Sequence, residues 1–261
     1  MKYKIFILTA TIAAILTNGK IVAQQLQNEL NAVFAEEKID VRIKLADTLN
    51  VKLADIIKLG AKAEKIDVPQ RISQIVSRDK SVEIYTWSLP TERGMYKYYG
   101  IVKSPKGTFI LDDINTSNEH MSNEKFTDSK WYGAVYYDIV EIVISGKRAY
   151  TLLGNDLKGI LSSKKVIEIL SFDDKGNPVF GDNVFENKDN CRIIFEYNAR
   201  SSMYLRYHPE IKTIVYNPLE PVNPNFEGDY RFYVPDYSYD GLTFKNGKWT
   251  FVEDVTFNRK D

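Results

Sequence analysis

From Gln25 to Glu37 the apolar residues Leu26, Leu30, Val33 and Phe34 fall at i, i+4, i+7 and i+8, the spacing of a helix with one buried stripe. A second predicted helix begins near Asn50, a residue type suited to a cap. It places Leu53, Ile56, Ile57, Gly60 and Ala61 on one side and Lys52, Lys58 and Lys62 on the other. A third, short helix is expected to open at Pro69, whose fixed φ suits a first helical position, with Ile72, Ile75 and Val76 recurring at helical spacing.

After Lys80 the pattern turns to short runs of Tyr, Phe, Val, Ile and Thr broken by Gly, Asn, Asp and Pro, as in antiparallel strands. Strands are expected at Val82 to Leu89, Tyr96 to Lys103, Thr108 to Asp112, Tyr132 to Ile144, Arg148 to Leu153 and Lys165 to Phe172. Further strands are expected at Arg192 to Tyr197, Met203 to His208, Thr213 to Tyr216, Tyr230 to Val234, Leu242 to Phe244 and Trp249 to Val252. Ser145-Gly146 and Asp173-Asp174-Lys175-Gly176 read as turns, and Asn246-Gly247 supplies both positive φ angles of a type I′ hairpin. No strands alternate with helices in the βαβ manner, so a parallel sheet is not expected. Asn115 to Lys130 is polar and reads as a surface loop, and Asn217 to Gly228, with Pro218, Pro221 and Pro224, as an irregular connection.

The pattern predicts an α+β fold: a short helical segment over 24–80 beside a large, mainly antiparallel β domain over 81–261, built as a sandwich, barrel or meander. Residues 1–23 read as a secretory signal peptide. Lys2 and Lys4 precede an uncharged stretch from Ile5 to Leu16, and Ile21-Val22-Ala23 offers a small residue for cleavage. As a helix the apolar stretch is about 18 Å long, short of a hydrocarbon core of roughly 30 Å. Export to the periplasm or the extracellular space is therefore expected, with no transmembrane segment in the mature chain.

The 261 residues include 35 Lys and Arg against 35 Asp and Glu. Loss of Lys2, Lys4 and Lys20 leaves 32 basic against 35 acidic residues, a formal charge of −3. Phosphate-tracking proteins need a basic face, so a nucleic-acid partner is not expected. Cys191 is the only cysteine and has no internal disulfide partner. A chain of this length buries roughly 70% of its unfolded surface and needs no staple.

Residue types for catalysis are scarce. His120 and His208 are the only imidazoles; there is no G-x-S-x-G elbow, no H-E-x-x-H and no cysteine pair. His120 lies in the polar loop and His208 precedes Pro209, and both read as solvated loop histidines. Cys191 reads as a small core or edge residue. Paired carboxylates could hydrolyse a glycoside without histidine, but that chemistry is defined by a separation in space, so no catalytic residue is nominated.

The segment from Asp229 to Gly241 is the densest polar and aromatic cluster. Within it Asp236-x-Ser238-x-Asp240-Gly241 places oxygen ligands at alternate positions before a glycine, like the start of a calcium loop. The twelfth position is Gly247, where an EF-hand has a glutamate, so a calcium site on Asp236, Ser238 and Asp240 would need a further ligand from elsewhere. The bland alternative is a turn held by Asp and Ser. Tyrosines beside acids could also stack on a sugar, yet alternation of Tyr230, Phe232 and Val234 accounts for the rings as one face of a strand. Most of the 17 tyrosines and 13 phenylalanines are expected to fill the interior.

The amino-terminal pattern, together with Trp131-Tyr132-Gly133, Tyr150-Thr151-Leu152-Leu153-Gly154, Pro178-Val179-Phe180-Gly181 and Asp236-Tyr237-Ser238-Tyr239-Asp240-Gly241, resembles a group of uncharacterised exported proteins of Bacteroidetes-type bacteria. The resemblance implies export and brings no activity, cofactor or catalytic residue with it. The expected function is that of a non-catalytic envelope protein binding another envelope protein or a glycan through its β domain. The alternative is a carboxylate-based hydrolase acting on a polysaccharide.

Overall fold

The structure, a computed structural model, describes residues 19–59, 68–92, 94–114, 121–157, 160–186 and 189–257. Helices α1 (Gly19–Ala35) and α2 (Ile39–Leu59) pack together. Val22, Leu26, Leu30 and Val33 of α1 meet Ala46, Leu49, Leu53 and Ile57 of α2 in one apolar cluster, the burial that holds short helices together in water. Lys52 Nζ lies 2.5 Å from Glu29 Oε1 across the pair. Residues 1–18 of the expected signal peptide, and Gly60 and Ala61 of the second expected helix, lie outside the described residues. The cleavage position after Ala23 falls inside α1. Asn50 is not a cap. It sits within α2, is buried, and its Oδ1 accepts a hydrogen bond from Trp87 Nε1 at 3.4 Å.

Four antiparallel strands form the first sheet in the order β1 (Ser73–Val76), β2 (Glu83–Pro90), β3 (Tyr96–Ser104), β4 (Gly107–Asp112). The helix expected from Pro69 is instead β1, so strand structure begins inside the stretch read as helical. Three apolar positions do not separate a helical turn from a strand. Arg71 takes a left-handed φ of 81° that interrupts a helix, and pairing of Ile75 with Ile84 decides the outcome.

The second sheet contains β5 (Phe126–Thr127), β6 (Val135–Ile144), β7 (Lys147–Asp156), β8 (Ser162–Phe172), β9 (Pro178–Phe180) and β10 (Arg192–Asn198). Its order is β5-β9-β8-β7-β6, and β10 pairs with the other half of β8's free edge. The polar stretch read as a loop supplies β5 and two buried side chains, Met121 and Phe126. A third sheet runs β11 (Leu205–His208), β12 (Thr213–Tyr216), β15 (Asp240–Lys245), β16 (Lys248–Val252). Between them in sequence lies a two-stranded ribbon of β13 (Leu219–Pro221) and β14 (Tyr233–Pro235). The strand expected over Tyr230 to Val234 is a 3-10 turn at Tyr230–Phe232 followed by β14. Asp229 starts that turn by accepting the Arg231 N–H, which replaces ladder bonding. Ser145-Gly146 and Asn246-Gly247 both have two positive φ angles and close their hairpins as expected.

The layers stack as helices, first sheet, second sheet, third sheet, because alternate residues of a strand face opposite sides. One face of the first sheet gives Tyr85, Trp87, Leu89 and Tyr99 to the helices; the other gives Ile84, Tyr98 and Val102 to the second sheet. In the second sheet Leu152, Val166 and Leu170 turn toward the first, while Leu153, Ile167 and Ile169 meet Leu205, Ile214 and Trp249 of the third. This is the α+β architecture the sequence predicts, with the β part a stack of sheets. Among the described residues no helix is long and apolar enough to cross a membrane.

A buried ion pair crosses the second sheet. Arg192 on β10 and Glu168 on β8 are register partners, joined at 2.6 Å with both side chains fully buried. Glu168 Oε2 also accepts from the Tyr136 hydroxyl, and Arg192 donates to the Met121 and Phe180 carbonyls. Each nitrogen of the guanidinium and each oxygen of the carboxylate has a hydrogen-bond partner, the condition under which a buried pair persists. Room for the Tyr136 ring comes from Gly154 opposite it, where an added Cβ would meet the ring at 2.8 Å.

Candidate functional site

Where the second sheet faces the third and the β13–β14 ribbon, the layers part to leave a cavity of about 820 Å³. Asn217 ties together two of the segments around it. Its Oδ1 accepts the Tyr204 N–H at 2.9 Å, its own N–H reaches the Tyr204 carbonyl at 3.2 Å, and its Nδ2 donates to the Ser238 carbonyl at 3.0 Å. From the other side Tyr137 donates its hydroxyl to the Leu205 carbonyl at 2.9 Å. Tyr137 is the extra residue of a β-bulge, since its neighbours Tyr136 and Asp138 pair with the adjacent residues Gly154 and Leu153. Bulges re-aim a side chain, and this one directs a tyrosine to the third sheet.

Lys165 enters the cavity by strand alternation. On β8, Lys164 turns toward the first sheet and pairs with Glu196 at 3.3 Å, whereas Lys165, between Asn155 and Phe195, turns the opposite way. Its Nζ lies 4.8 Å from the centre of the Tyr137 ring, and Arg206 on β11 sits 5.7 Å from the Tyr204 ring. Burial, and then the positive charge of Arg206, push the Lys165 ammonium down to about 8. Among the described residues neither cation forms an ion pair.

Four tyrosines, Tyr137, Tyr204, Tyr237 and Tyr239, complete the lining, and Tyr237 is fully exposed at 103%. The expectation that most tyrosines fill the interior stands beside this second use of the ring. Tyr85, Tyr98, Tyr99, Tyr136 and Tyr150 are buried between layers, whereas the four at the cavity line its wall, Tyr137 also packing against the core.

Asp236 is the single acid among the described residues lining the cavity. Its Oδ1 accepts the Ser238 N–H at 2.8 Å, and the Ser238 hydroxyl reaches both its oxygens, at 2.9 and 3.0 Å. Two of the three expected calcium ligands therefore satisfy one another in an Asx turn. Asp240, the third, lies on β15, where Oδ1 accepts the Asp254 N–H at 3.3 Å. Burial raises its pKa, assisted by the neighbouring Asp254 and Asp236 charges. Among the described residues no three His, Cys, Asp or Glu side chains group to hold a metal ion.

His208 departs from the solvated-loop expectation. It ends β11 with 9% of its surface exposed, its Nε2 2.8 Å from the Tyr204 hydroxyl and its Nδ1 3.0 Å from Glu210 Oε1. Phe257 packs edge-on against the imidazole with ring centres 4.5 Å apart. Glu210 can only accept, so Nδ1 carries a proton, and a neutral imidazole takes the Tyr204 proton on Nε2. His208 thus contacts Tyr204, a tyrosine of the cavity wall. His120 lies outside the described residues. Cys191 is 7% exposed beside β10 and donates to the Asn123 carbonyl at 3.3 Å, the small core residue expected.

The sequence reading missed Lys165, Arg206, Tyr204 and Tyr137 as a group. They come from β8, β11, the segment before it and a bulge in β6, and no sequence spacing relates them. No protein-family model matches the chain, and neither a curated protein nor a solved structure matches it.

Proposed function

We propose that this chain is an exported, non-catalytic envelope protein that binds a glycan in the tyrosine-lined cavity of its β domain. The cavity itself carries the reading: about 820 Å³, walled by four tyrosines with serine and asparagine groups between them. Sugars present C–H faces that stack on aromatic rings and hydroxyls that pair with amides and hydroxyls, and this lining supplies both. The concave shape favours a short glycan over a protein surface, which wants a broader contact. Among the described residues the wall holds one acid, Asp236, which is hydrogen-bonded to Ser238, and this favours binding over carboxylate-pair hydrolysis. Export rests on the lysines, apolar stretch and small residues at 1–23 and on the resemblance to exported proteins.

The test is titration calorimetry of the purified chain against neutral and acidic oligosaccharides, with product analysis of the same mixtures. Saturable binding without cleavage is expected. Cleavage of a bound polysaccharide, or no binding to any glycan, overturns the proposal.

A further inference from the structure

We infer that Lys165 and Arg206 form an anion subsite within this cavity, which takes the carboxylate or sulfate of an acidic sugar. The inference rests on the glycan reading and gives its ligand a charge. Two cations from facing layers converge here, Lys165 from the second sheet and Arg206 from the third. They lie close enough for Arg206 to disfavour protonation of Lys165. Lys165 is partly buried with no carboxylate partner among the described residues, and the exposed Arg206 beside it repels its charge, an arrangement that an anion bound between them would relieve.

The acids nearby are otherwise committed. Asp236 in the wall is held by Ser238. Asp138, beside the Tyr137 bulge, accepts the Ile139 N–H at 2.8 Å; burial raises its pKa while the Arg206 charge opposes that rise, and it neither lines the cavity nor forms an ion pair with Arg206 among the described residues. Lys164, next in sequence to Lys165, has its carboxylate partner in Glu196, so the contrast lies within one strand. Tyr137 and Tyr204, each beneath one of the cations, offer ring faces where the remainder of the sugar would stack. An anion entering between the two cations gains two charge-assisted hydrogen bonds in a partly desolvated setting.

The experiment measures affinity of the full chain for three probes: an oligogalacturonate for carboxylate, a sulfated oligosaccharide for sulfate, and a neutral cello-oligosaccharide. Wild type, Lys165→Gln and Arg206→Gln are compared, with near-UV circular dichroism to confirm that each variant is folded. Expected is binding of at least one acidic probe, weakened about tenfold or more by each substitution, a clearly larger loss than either substitution causes for the neutral probe. The acidic probe that binds identifies the anion. Equal binding of an acidic probe by wild type and both variants overturns the inference, as does binding of the neutral probe alone, and both leave the glycan reading standing. Binding of no probe removes that reading and the inference together.

Discussion

Arg192 Nε stands 2.6 Å from Glu168 Oε1 with neither side chain exposed, and Tyr136 closes the same carboxylate from the opposite side. The pair ties β10 to β8 within the second sheet and, through the Met121 carbonyl, draws in the segment leading to β5. Removing one partner strands the other charge in the interior. Glu168→Gln is therefore expected to lower stability by about 3–5 kcal/mol. A shape-matched apolar replacement of both, Arg192→Met with Glu168→Leu, should cost much less. Chemical denaturation of the single and double variants checks this; equal losses would show that packing, and not charge, holds the layer.

Lys165 is expected to trade stability for binding. Its folded pKa of about 8 lies below the ordinary 10.5, so the folded state disfavours its proton. The groups that face it are Tyr137 on β6, Arg206 on β11, Phe195 on β10 and Asp236 after β14. Protonation opposes folding at all pH values below about 8, and the penalty fades as pH rises toward 10.5. Lys165→Met should thus stabilise the protein by about 1–2 kcal/mol at pH 7 and by almost nothing above pH 10.5. Thermal melts at pH 7 and pH 10.5 read the difference; a destabilised variant at pH 7 would place the lysine in a paired environment.

Tyr237 carries no packing duty, being fully exposed at the cavity rim. Tyr237→Ala is expected to leave the melting temperature within about 1 °C of wild type, as for other surface changes. It should weaken glycan binding about fivefold through loss of one stacking ring. Calorimetry beside a melt separates the two readouts, and unchanged affinity would move the ligand away from this rim.

Asp236 and Ser238 hydrogen-bond to each other, and burial together with the Asp254 and Asp236 charges raises the Asp240 pKa. Millimolar calcium or a chelator is accordingly expected to leave the melting temperature unchanged. A rise on adding calcium that Asp240→Asn abolishes would assign the cation to these residues.

Processing at the amino terminus is open to a direct measurement. Cleavage after Ala23 removes Val22 from the α1 stripe but leaves Leu26, Leu30 and Val33 to dock on α2. The exported chain is expected to begin at Gln24, read by intact mass. A secreted chain that retained residues 1–23 would show that the segment is part of the folded protein.

The chain pattern determined the class of fold and much of its element order. Helical spacing of Leu26, Leu30 and Val33, β-rich runs such as Thr213–Tyr216, and the Asn246-Gly247 turn each obey a local rule, and each is present where the rule puts it. Local rules failed where a partner distant in sequence decided the conformation, as when β2 claimed Ser73–Val76 and Asp229 wound Tyr230–Phe232 into a turn. The same division governs the site. That the protein holds many tyrosines and few catalytic groups is written in its composition. That Tyr137, Lys165, Tyr204 and Arg206 meet follows only from stacking two sheets and from one bulge in β6, because proximity across layers is a property of the folded packing and leaves no spacing in the sequence.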